Sequence, residues 1–218
     1  MAFSNTNCKV CSNIIYQYSL FYETMARNSE IADLGASFPA GHIIQTQFTQ
    51  LTTKDSQSFS SDTDTAVDGL TVNITPHFNN SIIKLECYFM FEYSNASDPN
   101  SSVGFFFRNS TALGNTDSSP GSRKIGIGIA NIQFETANAD STPESMNLTF
   151  FDRPNDGTNS IAQIAYKFGV NASNGGTLYI NQTVSDGNNN YSERGCSYIS
   201  ATEIAQSGTG SITSAKAS

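Results

Sequence analysis

The sequence predicts an all-β fold, an antiparallel jelly-roll sandwich of about 8–10 strands with a short N-terminal helical segment. The first observation is composition, because only 14% of the 218 residues are charged and Ser, Thr, Asn and Gly supply most of the other polar groups. The second is strict alternation of apolar and polar residues in the central segments. The third is the recurrence of turn-forming clusters between these segments, with no helical patterns among them.

Composition divides the chain into three regions. Residues 1–41 form an N-terminal arm with the one predicted helix, residues 42–205 alternate like strands, and residues 206–218 form a polar tail predicted to be disordered. In the arm, Asn28 or Ser29 can cap the amide groups that begin a helix. A helix this short is not stable alone, so it needs the body of the domain or copies of itself.

The segment of residues 81–94, SIIKLECYFMFEYS, has the clearest strand pattern. Leu85 and Cys87 fall on its apolar side, and Lys84 and Glu92 fall on its polar side. The predicted strands are His42–Gln50, Leu70–Thr75, 81–94, Val103–Arg108, Lys124–Phe134, Met146–Asp152, Ile161–Val170, Thr177–Thr183 and Ser197–Ile204. The last two are predicted to pair as a closing hairpin around an Asn- and Gly-rich loop.

The charge and hydropathy of the chain argue against two classes of partner. A net charge of -8 and a pI near 4.6 disfavour a phosphate-binding surface, which needs clustered Lys and Arg, so no nucleic acid is expected. No run of about 18 apolar residues is present, so no membrane insertion is expected. The sequence also shows no basic region or cleavage site of a signal peptide, so secretion is not expected.

Catalytic patterns are absent from the sequence, so we expect no enzyme activity and no cofactor. The two histidines, His42 at a strand start and His77 in a turn, belong to no HExxH pattern, and no G-x-S-x-G elbow exposes a serine. A structural or solvated role is therefore favoured for both. A carboxylate pair for glycoside hydrolysis remains open, because the separation of such a pair is spatial and not sequential.

No metal site is expected either. Cys8 and Cys11 form a lone C-x-x-C pair, which supplies half of a structural zinc shell. Cys87 is predicted to be a small buried hydrophobe. Two segments, Asp64–Gly69 and Asp152–Gly157, resemble calcium loops but lack side-chain ligands, so we predict that they are turns.

Two motifs resemble those of a family of phage virion domains common in marine and cyanobacterial phages. The first is residues 193–204, ERGCSYISATEI, which match the family's ending E-R-G-x-S-x-I-x-A-x-E-I. In the second, a strand ending I-T-P is followed by a short polar turn and a long S-x-I-x-x strand. This second motif is carried by Gly69, Leu70, Ile74, Thr75, Pro76 and Ser81. The resemblance covers roughly residues 40–205.

The resemblance implies a jelly roll like that of complement and tumour-necrosis-factor domains, assembled as a threefold knob on the virion surface. It implies a non-enzymatic head fibre, capsid decoration or short tail-fibre tip that contacts the host and is assembled in the host cytoplasm. The residues themselves predict only the antiparallel β-architecture. The homotrimer, the virion location and the attachment role come from the resemblance.

Residues 1–24 precede the point near Met25 where members of this family often begin. They are an upstream extension, an anchoring arm or a misassigned start. Their apolar cluster, which includes Ile14, Tyr18 and Phe21, favours contact with a partner surface over free exposure. We therefore expect this arm to bind other virion proteins.

Two other functions are compatible with the sequence. A carbohydrate-binding module of a tail fibre would recognise host surface glycans through aromatic and amide side chains on loops, with Tyr93 or Tyr191 as candidate aromatic residues. The same residues are also ordinary turn and strand-end chemistry. A hydrolase that degrades surface polysaccharide ranks third, because no acid pair is promoted by its spacing.

Overall fold

The computed structural model describes residues 39–94, 102–117, 121–130, 142–154, 161–190 and 192–206. These residues form eleven strands and no helix, so the predicted all-β class is confirmed. The predicted N-terminal helix and almost all of the predicted arm and tail lie outside the described residues. Within the described ranges, no helix has the length and apolar character needed to cross a membrane.

The strands are β1 (Ile43–Leu51), β2 (Asp55–Phe59), β3 (Thr65–Ile74), β4 (Ile82–Tyr93), β5 (Ser102–Arg108), β6 (Thr111–Leu113), β7 (Gly128–Ile129), β8 (Glu144–Asp152), β9 (Ile164–Ala172), β10 (Gly176–Ile180) and β11 (Ser197–Ile204). Most predicted strands are present with shifted ends. The segment predicted at 124–134 contains only the two-residue β7 among its described residues. β2 and β6 were not predicted, because β2 is almost wholly polar and β6 has only three residues.

The larger sheet contains six antiparallel strands arranged in four rows. β1 pairs with β11 and β2 pairs with β10, so β1 and β2 lie end to end along one edge. β11 and β10 in turn lie end to end along β4, which they meet at residues 82–88 and 91–93. β8 pairs along the opposite edge of β4.

The smaller sheet also has four rows of antiparallel strands. Its order is β3, β9 and β5, and both β6 and β7 lie against the outer edge of β5. β6 pairs at residues 106–108 and β7 pairs at residues 103–104, so these two short strands also follow one another along one edge. The same row structure is therefore repeated in both sheets.

Alternation along β4 determines one wall of the core between the two sheets. Leu85, Cys87 and Phe89 are at most 2% exposed, so the predicted burial of Cys87 is confirmed. From the smaller sheet, the ring of Phe168 lies 5.0 Å from that of Phe89 and 6.3 Å from that of Phe106. Each fully buried side chain of this size contributes about 1.5–3 kcal/mol relative to exposure.

The predicted closing hairpin is present only as one antiparallel bridge, Gln182↔Arg194, because β10 and β11 pair with β4 and not with each other. The pairs Ile180↔Phe91 and Tyr198↔Tyr88 place both strands on the same edge of β4, running in the same direction. The β10–β11 loop, residues 181–196, is therefore an excursion from one interrupted strand. A strand, a polar loop and a second strand give the same sequence pattern in both arrangements, so periodicity alone does not distinguish them.

Candidate functional site

Four aromatic side chains lie on the solvent-facing side of the larger sheet, and we call this set the outer aromatic face: Phe48, Tyr88, Phe151 and Tyr198. They face outward because their strand neighbours alternate into the core. Register places Tyr198 directly beside Tyr88. Phe151 pairs with Lys84 in the next row, and Phe48 lies on β1 beside β11.

Three of the four aromatic side chains of this face are largely exposed to solvent. Phe48 is 70% exposed, Phe151 is 47% exposed and Tyr198 is 42% exposed. The rings of Tyr88 and Tyr198 stack with centroids 6.5 Å apart and an interplanar angle of 23°. Neighbouring exposed apolar side chains mark interaction sites, and aromatic residues are enriched in protein interfaces.

An ion pair lies within the same face. Lys84 Nζ is 2.9 Å from Glu86 Oε1, and both side chains are about one-third exposed. The two residues are separated by one position on β4, so both side chains lie on the outward side with Tyr88. Their charges offset one another, which leaves the aromatic rings as the main feature available to a partner.

The other end of this side of the larger sheet is covered by chain segments. Met90 is 7% exposed, and a Cβ added to Gly195 of the β10–β11 loop would lie 2.9 Å from its Sδ. Glu92 is 1% exposed, because Thr142 and Val184 lie over it. The sequence places Glu92 correctly on the polar side of β4, but it gives no sign that two distant segments cover it.

A second buried carboxyl group belongs to the first residue of β8. Glu144 at the start of β8 is 5% exposed, and its Oε2 has no hydrogen-bond partner. Burial, and to a lesser extent the charge of Glu92, raise the pKa of Glu144 to about 8. Glu144 pairs in register with Phe91, so its side chain lies on the core-facing side of the sheet, whereas Glu92 lies on the opposite side. Burial separates both of these carboxyl groups from a substrate in solution.

Two sequence motifs, residues 193–204 and the segment that ends with Ser81, meet at Glu203. This fully buried glutamate of the first motif accepts a hydrogen bond from Ser81 Oγ of the second motif over 2.7 Å. It also accepts from the backbone amides of His77 (2.7 Å) and Phe78 (3.2 Å). Burial alone would raise the pKa of Glu203, but hydrogen bonds, those from Gln45 and Ser81 foremost, lower it below its ordinary value. Segments more than 120 residues apart are thus joined at one carboxylate.

The arrangement of Ser81, Glu203 and His77 differs from a catalytic triad. Glu203 lies between Ser81 and His77, and its Oε2 is 3.1 Å from His77 Nδ1. In a triad the histidine lies between the acid and the serine. The side chain of His77 is 61% exposed, and His42 lies just before β1. Both positions are compatible with the structural or solvated role predicted for each histidine.

Asn181 joins the two interrupted rows of the larger sheet. Its Nδ2 donates to the carbonyl oxygens of Leu51 and Thr53, each over 2.9 Å, in the gap between β1 and β2. Its Oδ1 accepts from Ser197 Oγ over 2.6 Å, and Ser197 Oγ accepts from the amide of Met90 over 3.0 Å. Asn181 has φ of 57°, a left-handed conformation that asparagine tolerates better than most residues.

Charged residues secure the base of the β10–β11 loop. Arg194 donates to both carboxylate oxygens of Asp186, over 2.8 and 2.9 Å, and Lys54 also contacts Asp186. The hydrogen bond from Arg194, followed by that from Lys54, lowers the pKa of Asp186 to about 2. The described residues beyond this base, 187–190, are exposed and include three consecutive asparagines.

Of the two predicted turns that resemble calcium loops, the first is contradicted and the second lies partly outside the described residues. The turn predicted at Asp64–Gly69 is wrong, because Thr65–Ile74 is β3, with an irregular register and a positive φ at Gly69. In the second segment Asp152 ends β8 and is buried, and the residues from 155 to 157 lie outside the described residues. Among the described residues no group of three or more His, Cys, Asp or Glu side chains could hold a metal ion.

Tyr93 is not available as a glycan-stacking platform, which corrects that expectation. Its side chain is 2% exposed and contacts the rings of Phe59 and Phe91 in the core. The apolar alternation of β4 continues to its last residue, which is why Tyr93 is buried. Tyr191, the other candidate, and the pair Cys8 and Cys11 lie outside the described residues.

Comparison with known proteins assigns no family to the chain. No protein-family model matches the sequence, and no curated protein matches it. A functional proposal therefore rests on the outer aromatic face, on the strand order and on the two motifs that meet at Glu203.

Proposed function

We propose that the protein is a non-enzymatic structural component of a phage virion, in which three copies form a surface knob. The knob serves as a head fibre, a capsid decoration or a short tail-fibre tip, and it contacts the host surface. The single observation that carries the proposal is the outer aromatic face, whose exposed rings favour burial against another copy. The threefold number and the virion location come from the resemblance of residues 40–205 to phage virion domains.

The strand order supports a jelly-roll fold. Each sheet has four rows, and the last row in sequence lies beside the first row of its sheet: β10/β11 beside β1/β2, and β9 beside β3. Paired first and last strands in two facing sheets are typical of the nested Greek keys of a jelly roll.

Native mass measurement of the full chain tests the assembly. We expect a trimer for the natural chain and a monomer for the double variant Phe48→Ser/Phe151→Ser, because it removes two of the most exposed rings of the face. Ile129→Ser is the matched control, since Ile129 is 73% exposed but lies on β7 of the smaller sheet. A monomeric natural chain, or a trimer that survives the double variant, would contradict the proposed interface.

Labelling of intact phage particles with an antibody against this chain tests the virion location. Label on the head or on the tail supports the proposal and identifies the structure that carries the knob. Deletion of residues 1–24 tests the arm, since we propose that it binds other virion proteins. The truncated chain should still assemble but should be lost from particles, and unchanged incorporation would exclude that role.

A carbohydrate-binding module is the second candidate, favoured by the β10–β11 loop. Asp186 and Arg194 fix its base, and residues 187–190 present exposed amide groups that suit sugar hydroxyls. A glycan array probed with the natural chain tests this function. Binding that is lost when Asn188, Asn189 and Asn190 are replaced by Ala would support it, and an array without signal would exclude it for the glycans displayed.

A further inference from the structure

The turn between β9 and β10, residues 173–175, contains the only Asn-Gly pair of the sequence. Asn174 and Gly175 are both exposed, and they connect β9 of the smaller sheet to β10 of the larger sheet. Glycine has no side chain to shield its backbone nitrogen, and its backbone is more flexible than that of other residues. An asparagine side chain is therefore most open to attack by the next backbone nitrogen when glycine follows it. The turn presents this reactive pair to solvent.

Packing explains why glycine follows Asn174. A Cβ at Gly175 would lie 3.0 Å from the carbonyl oxygen of Phe59 and 3.1 Å from the amide nitrogen of Ser61. Both contacts are with backbone atoms, which do not rotate away as the end of a side chain does. Gly176 pairs with Phe59 in the ladder between β10 and β2, so Gly175 approaches the end of β2 closely. The fold thus requires the residue that makes Asn174 reactive.

Two aspartates among the described residues also precede glycine, and contacts restrain both. Arg194 donates hydrogen bonds to both carboxylate oxygens of Asp186, which precedes Gly187. These bonds hold Asp186 as the anion, and an ionised carboxylate is a poor target for a backbone nitrogen. Asp68 precedes Gly69 within β3, and the amide of Asp68 donates to a glutamine side chain of β2 over 2.9 Å. An aspartate must also be protonated before it loses water, whereas an asparagine loses ammonia directly. Asparagine in the β9–β10 turn is therefore the most reactive of the three.

We propose that Asn174 is a site of spontaneous modification, at which the protein converts its own side-chain amide into aspartate and isoaspartate. The backbone nitrogen of Gly175 attacks Cγ of Asn174 and closes a succinimide ring. The side-chain nitrogen leaves as ammonia, which takes the proton of the Gly175 amide. Water then opens the ring at either carbonyl carbon, and the two routes give aspartate and isoaspartate. Water is the only co-reactant, and the modification does not depend on the proposed assembly.

The modification changes the charge and the backbone length where the chain passes from one sheet to the other. Either product adds one negative charge to a chain that already carries a net charge of -8. Isoaspartate also inserts a methylene group of the side chain into the backbone, next to the pair Gly176↔Phe59. This pair is the first of the ladder between β10 and β2. The extra backbone atom displaces that pair, so we expect β2 to loosen as the chain ages.

Ageing of the purified full chain at pH 7 and at pH 9 tests the modification. Peptide mass analysis measures the fraction of Asn174 that has become an acid, and enzymatic methylation of isoaspartyl groups measures the isoaspartate fraction. We expect the acid fraction at Asn174 to grow with time and to grow faster at pH 9, because base removes the proton from the attacking nitrogen. Asn147, an exposed asparagine that precedes Leu148 in β8, is the internal control and should remain an amide.

Hydrogen exchange of β2 separates the effect of the extra backbone atom from that of the charge. The aged natural chain should lose protection in β2, whereas aged Asn174→Gln should keep it, because ring closure through the longer side chain is slower. Freshly prepared Asn174→Asp carries the charge without the extra backbone atom, so it should also keep its protection. Protection of β11, followed in the same samples, separates local loosening from global unfolding.

Three results would contradict these expectations. An aged natural chain in which Asn174 remains an amide, or changes no faster than Asn147, would overturn the proposed modification site. Isoaspartate that forms at Asp186 as fast as at Asn174 would show that Arg194 does not protect the carboxylate. Conversion of Asn174 without any change in the exchange of β2 would overturn the proposed loosening.

Discussion

Ser197 Oγ donates a hydrogen bond to Asn181 Oδ1 over 2.6 Å, at the point where β10 ends and β11 begins. The same hydroxyl accepts from the amide of Met90, which otherwise faces the gap in the interrupted row. Both Ser197 and Asn181 are at most 1% exposed, so water does not replace these partners. The side chain of Ser197 thus takes the place of one backbone hydrogen-bond acceptor in the sheet.

Replacement of this hydroxyl should destabilise the fold. Ser197→Ala leaves the amide of Met90 and Oδ1 of Asn181 buried without this partner, so we expect the free energy of unfolding to fall by about 1–3 kcal/mol. Urea denaturation measures the change. The control Ser58→Ala lies at an exposed position on β2 and should change stability by less than about 0.5 kcal/mol. Equal free energies of unfolding for the two variants would show that the Ser197 hydroxyl does not stabilise the sheet.

Glu203→Gln should show a cost that depends on pH. The folded state lowers the pKa of Glu203 below its ordinary value of 4.5, so its stabilising effect is present above that value and is lost as acid protonates it. We expect a loss of about 1–3 kcal/mol at pH 7, because hydrogen bonds to a charged acceptor are weakened. The difference from the natural chain should shrink below pH 4.5. Denaturation at several pH values checks this, and a difference that does not change with pH would contradict it.

The buried carboxylate of Asp152 connects the two sheets through hydrogen bonds. It accepts from Arg108 Nη1 over 2.8 Å and from the hydroxyl of Tyr166 over 2.7 Å. Tyr166→Phe should cost about 1.5–3 kcal/mol, because it removes a hydrogen bond to a charged group. Asp152→Ala should cost more, near the lower end of about 3–5 kcal/mol, since Arg108 still reaches solvent.

Thermal or urea unfolding measures both variants and their combination. Because Asp152 and Tyr166 share one hydrogen bond, the double variant should lose less stability than the sum of the single variants. Tyr179→Phe, at a half-buried position on β10, is the control and should have little effect. Additive losses would indicate that the two residues act independently.

Alternation explains why much of the fold could be predicted. In β4, strict period-two alternation identified the buried side and placed Cys87 in the core, because side chains of a strand alternate between its faces. The same rule does not state which strands pair. β10 and β11 were therefore assigned to a hairpin, whereas both pair with β4. That choice depends on contacts between residues far apart in sequence, such as Asn181 with Leu51.

The candidate site was less predictable for the same reason. Phe48 lies in a strand rich in Thr and Gln, and its exposure becomes meaningful only when register places it on the same side of the sheet as Tyr198. Glu92 has the sequence signature of an exposed residue, yet two segments more than 40 residues away cover it. Neither relationship leaves a periodic signal in the sequence. The sequence identified Glu203 as a motif residue, but it did not show that the Glu203 carboxylate accepts hydrogen bonds from Ser81 and the neighbouring backbone amides.

Gly169 permits a close aromatic contact on the outward side of the smaller sheet. A Cβ at this position would lie 2.7 Å from Phe107 Cε2 and 2.8 Å from Phe105 Cε2, closer than side-chain carbon atoms approach. The two rings, 5.1 Å apart, pack over the bare backbone of β9. Gly169→Ala should therefore force these rings apart and cost about 1–3 kcal/mol of unfolding free energy.

Urea denaturation measures this cost against Gly187→Ala as the matched control. A Cβ at Gly187 would meet the amide group of Asn189, which is the flexible end of an exposed side chain and can move away. The control should thus change stability by less than about 0.5 kcal/mol. Adding Phe107→Leu to Gly169→Ala should restore part of the loss, because a smaller side chain relieves the clash. If the second substitution only adds to the loss, the rings do not require glycine at this position.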